Sequence, residues 1–480
     1  MAEEKETISV TNTRWYPSYH VAAPSGWIND PNGFCVYKGQ YHLFYQHFPY
    51  DVKWGPMHWG HVVSDDLTHW KHLPIALEPT TPYEEGGGCF SGSAIEKDGK
   101  LYLMYTGHSN IETQNFAVSD DGINFTKIQG NPVIYAPPEN IGDINAADFR
   151  DPKVWQRGDK YYCVIGSKTK DGAVGQVLLY EFENLIGWNF KNIMARSEGN
   201  EGNMWECPNF AEIDGTDVLI MSPIGIQPEG NKFLNLSQAG YMLGKLDYDT
   251  GIFEHGAFEM LDYGFDFYAP QITQTADGRT ILIAWLDMWG GRFPEEVDGW
   301  TGMMSIPREI HVKNGKIIST PVKELEKLRL GKKSYSNLNI TERKSFDGVS
   351  GETGELLATI DAKKSFEIEL RSNGEEKTLL IFDAENNIFK INREKSGENI
   401  GGNCEREVKI NPAKEINLQI FIDRSSVEIF INDGEAVISA RIYPQTDSQG
   451  IYFVPSAEKF KIKKLTFYTL GEGIPQPEIK

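Results

Sequence analysis

The 480-residue sequence predicts an all-β protein, a five-bladed β-propeller followed by a C-terminal β-sandwich. Three observations carry this expectation. Alternating strand-like runs dominate the chain, glycine turns recur at a near-constant interval through its first two-thirds, and the interval shortens beyond about residue 336.

The runs are YHLFYQHF at 41–48, LYLMYTG at 101–107, YYCVIGSK at 161–168, DVLIMSP at 217–223 and RTILIAWL at 279–286. β-Branched and aromatic residues fill them, as a pleated, packed surface requires. A hairpin glycine precedes each, at Gly39, Gly99, Gly158, Gly215 and Gly278. These glycines are 60, 59, 57 and 63 residues apart. Units of that length with three or four strands match propeller blades, which bury their sheet faces against neighbouring blades. VSDDLTHW at 63–70 and VSDDGINF at 118–125 read as one shared third-strand and turn segment.

The spacing places the propeller at 1–320, with its blades from about residue 20. A connector at 321–335 includes a short helix in VKELEKLRL at 322–330. The sandwich occupies 336–480, where SFEIEL, TLLIFD, INLQIFID and SVEIFIND alternate at short intervals between turns such as NDGE.

Composition narrows the function. A net charge of −21 repels polyanions and excludes nucleic acid as a partner. No apolar run of eighteen or more residues spans a membrane. The opening MAEEKETISV does not read as a secretory signal, and five scattered cysteines without a CxxC pair argue against a disulfide framework or a zinc site. The expected compartment is reducing and cytoplasmic.

Upstream of each glycine turn lies a short segment that opens the first strand of its unit: NDPNGF, FSGSA, FRDPKV, ECPNF and YAPQI. First strands that line a common channel bring Asp30, Ser91, Asp151, Glu206 and Ala269 to one end as equivalent positions. Three of these are carboxylates. A pair of carboxyl groups, one ionised and one protonated, is the minimum equipment for cleaving a glycosidic bond, and retention requires them about 5 to 5.5 Å apart. A third carboxylate can orient hydroxyls and stabilise an oxocarbenium-like transition state. Trp27, Trp54, Phe90, Tyr268 and Trp289 near the same points suit the C–H faces of a sugar.

Taken together, WINDPNG at 27–33, FYQ at 44–46, WGPMHWGH at 54–61, FSGS at 90–93, FRDP at 149–152, ECP at 206–208, DFYAPQ at 266–271 and GWTGMMSIPRE at 299–309 resemble glycoside hydrolase family 32. DRSSVEIFINDGE at 423–435 extends the resemblance into the sandwich. The resemblance implies a retaining β-fructofuranosidase, an invertase or sucrose-6-phosphate hydrolase, with neither metal nor organic cofactor. It makes Asp30 the nucleophile, Glu206 the acid/base and Asp151 the transition-state stabiliser. It places Asn29, Gln46, Trp54, Phe90, Ser91, Arg150, Tyr268 and Trp289 around the fructosyl unit. Sucrose, sucrose 6-phosphate and short fructo-oligosaccharides stand as alternative small-molecule substrates, with Lys53 and Lys168 as candidates to meet a phosphate.

Two other readings share the architecture: a family 43 type arabinan or xylan hydrolase, and a non-catalytic sugar-binding propeller. His58, His61, His69 and His72 sit among tryptophans on alternating strands and read as packing residues, not metal ligands. Cys207, with no histidine beside it, reads as part of the surroundings of Glu206.

Overall fold

The computed structural model describes residues 6–139, 143–185 and 187–479. Each expected run is the second strand of an antiparallel sheet: Gln40–Phe48, Lys100–His108, Lys160–Lys168, Thr216–Ile224 and Thr280–Trp285. The five hairpin glycines before them all hold φ between 59° and 86°, left-handed values that side chains resist.

The five sheets are led by Gly26–Tyr37, Gly88–Lys97, Phe149–Arg157, Met204–Ile213 and Tyr268–Gln274. Each leading strand packs beside the next, and the fifth packs beside the first. Polar side chains tie this inner ring. Asn32 accepts from the Gly92 amide at 3.3 Å, Ser93 from Val154 at 3.0 Å, Asn209 from Ile272 at 3.2 Å and Gln271 from Phe34 at 2.8 Å. Trp300–Thr301, from the fifth sheet's stretch of chain, adds in parallel to the start of the first sheet. The repeated VSDD segments form matching turns, in which Asp66 accepts the amides of Thr68 and His69 and Asp121 those of Ile123 and Asn124. His61 stacks on Phe44 with centroids 4.0 Å apart and bonds to His42 at 3.0 Å, a packing role.

The sandwich joins a six-stranded sheet to a five-stranded one around an aliphatic and phenylalanine core. Two parts of the chain differ from the expectation. The short helix expected in the connector is present as the 3₁₀ helix Lys323–Leu328, but the strand Arg329–Ile340 follows it directly and pairs along its length with Phe460–Leu470. That strand is an exposed sheet edge carrying Lys332 and Lys333, so the apolar alternation that marks a strand is missing. Residues 10–23 belong to no propeller sheet and run between the two domains, bonded to Asp298 and Met304 on one side and strapped to the sandwich on the other. The Ser18 and Tyr19 amides donate to Asp423, and the Trp15 indole donates to the Pro444 carbonyl at 2.9 Å.

His20 anchors that strap between two buried sandwich carboxylates, Asp423 at 2.7 Å and Glu428 at 3.0 Å. Burial opposes the imidazolium, but the bonds to Asp423 and Glu428 overcome it and raise its pKa from 6.5 to about 9. A raised folded-state pKa stabilises fully below 6.5 and is lost as pH climbs through about 9. His20→Gln should therefore cost up to about 3 kcal/mol at pH 6 and much less at pH 9.5. Urea unfolding of both proteins at the two pH values checks this, and an equal loss at both would refute it.

Candidate active site

All five leading strands break register at the same place. Asn29 and Asp30 stand against Gln46 alone, Phe90 and Ser91 against Thr106, and Asp151 and Pro152 against Ile165. Cys207 and Pro208 stand against Met221, and Ala269 and Pro270 against Ala284. Each is a β-bulge, a device that bends a strand and re-aims its side chains. The first bulge residue is left-handed in three sheets, at Asp151 (φ 65°), Cys207 (φ 49°) and Ala269 (φ 50°).

The bulges correct the expected equivalence of the carboxylates. Asp30 is the second residue of its bulge, Asp151 the first of its own, and Glu206 directly precedes its own. Their spacing to the hairpin glycines ranges from seven to nine residues, and that drift hides the offset in the sequence.

The three carboxylates nevertheless meet in one cleft of about 560 Å³, whose lining also includes Asn29, Gln46, Trp54, Phe90, Ser91, Arg150 and Trp289. Asp30 accepts from Ser91 Oγ at 2.8 Å and from Asn29 Nδ2 at 3.1 Å, and Asn29 is oriented by the Trp27 indole at 2.7 Å. Gln46 is fixed by its bond to the Cys89 carbonyl at 2.9 Å. Asp151 accepts the Cys207 amide at 2.9 Å, and the Cys207 thiol lies 3.5 Å from oxygens of both Asp30 and Asp151. Burial first, and then Asp151, push this thiol up, so it serves as a neutral donor.

Glu206 is gripped on both oxygens. Arg150 reaches Oε1 through Nη2 at 2.8 Å and Nε at 3.2 Å, and the Tyr268 hydroxyl donates to Oε2 at 2.5 Å. Tyr268 thus acts from behind Glu206 and not from the cleft lining. Burial, reinforced by Glu206, raises the Asp30 carboxyl above its ordinary value, while its bonds to Ser91, Asn29 and Cys207 pull the other way. Burial also raises Asp151, with Arg150 opposing and Glu206 and Asp30 adding to the shift. Trp289 forms a wall stacked on Trp27 at 5.8 Å, whereas Trp285 is wholly buried behind it.

Two family models match in tandem: the glycosyl hydrolases family 32 N-terminal domain over residues 20–321 and the family 32 C terminal over 324–469. The chain belongs to glycosyl hydrolase family 32. Curated relatives of this family 32 chain include a sucrose-6-phosphate hydrolase of Zymomonas mobilis, 40% identical with 93% of this chain and 90% of the relative covered. A raffinose invertase of Escherichia coli is 39% identical with 93% of each covered. Among solved structures, the Bombyx mori family 32 β-fructofuranosidase superposes with a TM-score of 0.86 at 38% identity, over 97% of this chain and 96% of that one. A mutant of that silkworm enzyme has been solved in complex with sucrose. Family membership sets aside the family 43 reading.

The family 32 cleft also holds residues that sequence reasoning missed. Arg150 turns its Nη1 away from Glu206 toward Asp148 at 2.9 Å and buried Glu112 at 3.3 Å, and Lys168 closes on Asp148 at 2.7 Å. His108 stacks on Phe90 at 4.4 Å and accepts the Gly87 amide on Nδ1 at 2.9 Å. A Cβ at Gly86 would lie 2.8 Å from that nitrogen, and one at Gly87 would lie 2.4 Å from the Phe90 ring and 3.0 Å from the same nitrogen, so these two glycines make room for the stacked pair. Glu112 opens the polar start, ETQN, of its strand, so its charge gave no signal. Asp148 and His108 carried none.

Proposed function

We propose that this family 32 enzyme is a retaining β-fructofuranosidase acting on sucrose, with Asp30 as nucleophile, Glu206 as acid/base and Asp151 as stabiliser of the oxocarbenium-like transition state. The observation that carries the reading is the contrasting set of partners on two carboxyl groups of one cleft. Among the described residues, Asp30 accepts bonds from neutral donors alone, Ser91, Asn29 and the Cys207 thiol, which leave a carboxylate free to attack. Glu206 meets Arg150 and Tyr268, donors that stabilise the carboxylate it becomes once its proton has passed to the leaving oxygen. The fructosyl-enzyme then opens to water, with Glu206 as base.

Several named relatives act on sucrose 6-phosphate, yet the charge around this cleft favours a neutral leaving group. Among the described lining residues the basic side chains are Arg150 and His108, against Asp30, Glu112, Asp148, Asp151 and Glu206. Arg150 is already shared by three carboxylates, and Lys168 is paired with Asp148. Lys53 is absent from the lining. A phosphate dianion would meet uncompensated like charge, which costs several kcal/mol at close range. The kcat/KM for sucrose should exceed that for sucrose 6-phosphate by on the order of tenfold or more. Equal or reversed values sink the preference, and failure to release fructose from either sinks the whole assignment. Five free thiols support a reducing, cytoplasmic setting.

A further inference from the structure

Two aromatic residues of the site stand where the chain enters the first strand of the fifth sheet and just after it leaves the second, on segments that share a spacing: Asp266-Phe267-Tyr268 and Asp287-Met288-Trp289. In each, a buried aspartate stands two residues before the aromatic, outside the cleft lining. Both aspartates are held from the sandwich. Asp266 Oδ2 takes Arg393 Nη1 and, at 2.7 Å, the backbone amide of Arg441. The Arg441 guanidinium spans to Asp287 Oδ2 at 2.5 Å and to Glu295 Oε1 at 2.9 Å. The two arginines are themselves joined, Arg393 Nη1 donating to the Arg441 carbonyl at 3.1 Å.

Each aspartate leads to a different part of the chemistry. From Asp266 the chain runs to the Tyr268 hydroxyl and Oε2 of Glu206. From Asp287 it runs to Trp289, which stacks on Trp27, whose indole orients Asn29 against Asp30. We propose that Arg393 and Arg441 are positioning residues of the fructoside site, through which the sandwich sets Tyr268 against the acid/base and Trp289 against the nucleophile's wall. A buried interdomain ion pair adds little net stability compared with apolar packing, but its geometry is narrow. Phe265 lies under Arg393, 3.8 Å from its guanidinium carbon to the ring centroid, which further limits the rotation of that arginine.

The inference rests on the β-fructofuranosidase reading, and parent enzyme that fails to cleave sucrose would defeat that reading before this one is tested. The experiment is a double-mutant cycle in the full chain. Arg393→Met and Tyr268→Phe, singly and together, are assayed on sucrose and on an aryl β-fructoside whose leaving group needs no proton. Arg393→Met should lower kcat/KM on sucrose roughly 10- to 100-fold, the range expected when a reacting group is misplaced by up to about an ångström. The loss on the aryl substrate should be at least several-fold smaller. Added to Tyr268→Phe, Arg393→Met should cost less than about twofold more, because both act through one hydroxyl. Arg393→Lys should recover part of the loss.

Full additivity with Tyr268→Phe, or equal losses on both substrates, would show that Arg393 merely supports the fold and would overturn the proposal. If Arg393→Met does not fold, the same cycle with Arg393→Lys decides. Arg441→Lys against Trp289→Phe, read in KM for sucrose, tests the second arm by the same rule: a non-additive pair supports it and an additive pair overturns it.

Discussion

Asp30→Ala is expected to give a folded protein whose cleavage of any fructoside is slower by on the order of 10⁴-fold or more, even when the leaving group needs no help. The substitution removes the atom that would bond to the anomeric carbon, and no neighbour can replace it. Asp151 is committed to the Cys207 amide, and Glu206 to Arg150 and Tyr268. Folding should survive because Ser91 and Asn29 lose a partner that faces an open cleft, where water can replace it, a loss of about 1 to 2 kcal/mol. Thermal melting of variant and parent checks this. In the parent, Asp30 must be ionised to attack, and its pKa is raised by burial and by Glu206. The acid limb of kcat/KM should therefore lie above the ordinary aspartate value. A folded Asp30→Ala enzyme that still turns over an aryl fructoside at more than a few per cent of the parent rate would remove Asp30 from the nucleophile's role.

Glu206→Ala should divide the reaction. Sucrose, whose leaving oxygen needs a proton, should be cleaved about 10²- to 10⁴-fold more slowly. An activated aryl fructoside should still load the enzyme in a burst and then stall, because no base remains to activate water. Azide needs no general base, so it should restart turnover and give a β-fructosyl azide with net retention. The fold should tolerate the change: Arg150 keeps Asp148 and Glu112, and the Tyr268 hydroxyl retains the Ser222 carbonyl at 3.3 Å. Azide rescue of Asp30→Ala with none for Glu206→Ala would reverse the two roles.

What the sequence made legible follows from the range of the forces involved. Hairpin glycines need positive φ and strands need alternation; both are local demands, so the five second strands were placed within a residue or two. The edge strand Arg329–Ile340 escaped because its partner lies more than a hundred residues away and its outward lysines suppress the pattern. At the site, the residues expected around the sugar line the cleft except Tyr268, which acts from behind Glu206, and Trp27, which is buried and bonded to Asn29. Three more were missed because His108 meets Phe90 only once their two strands pair, Glu112 reaches Arg150 only across two sheets, and Asp148 bonds Arg150 only because that side chain turns toward it. Arg393 and Arg441 were still less accessible. They act across a domain interface on two aspartates, Asp266, which stood out only as the first residue of DFYAPQ, and Asp287, which no motif marked.

The bulges bear on how such a protein could be recombined. Its five sheets share a backbone plan, but Glu206, Asp151 and Asp30 enter the cleft from three successive offsets of that plan. A chimera that moved one sheet into another's slot could close the ring and still carry its carboxyl group a full Cα step, about 3.8 Å, from where the reaction needs it. That shift approaches the whole separation between the two working carboxyl groups of a retaining glycosidase, about 5 to 5.5 Å. Crossovers between relatives would preserve chemistry only where each leading strand travels with the hairpin partner that sets its bulge, into the same slot. The repeat is modular as architecture and non-modular as catalyst.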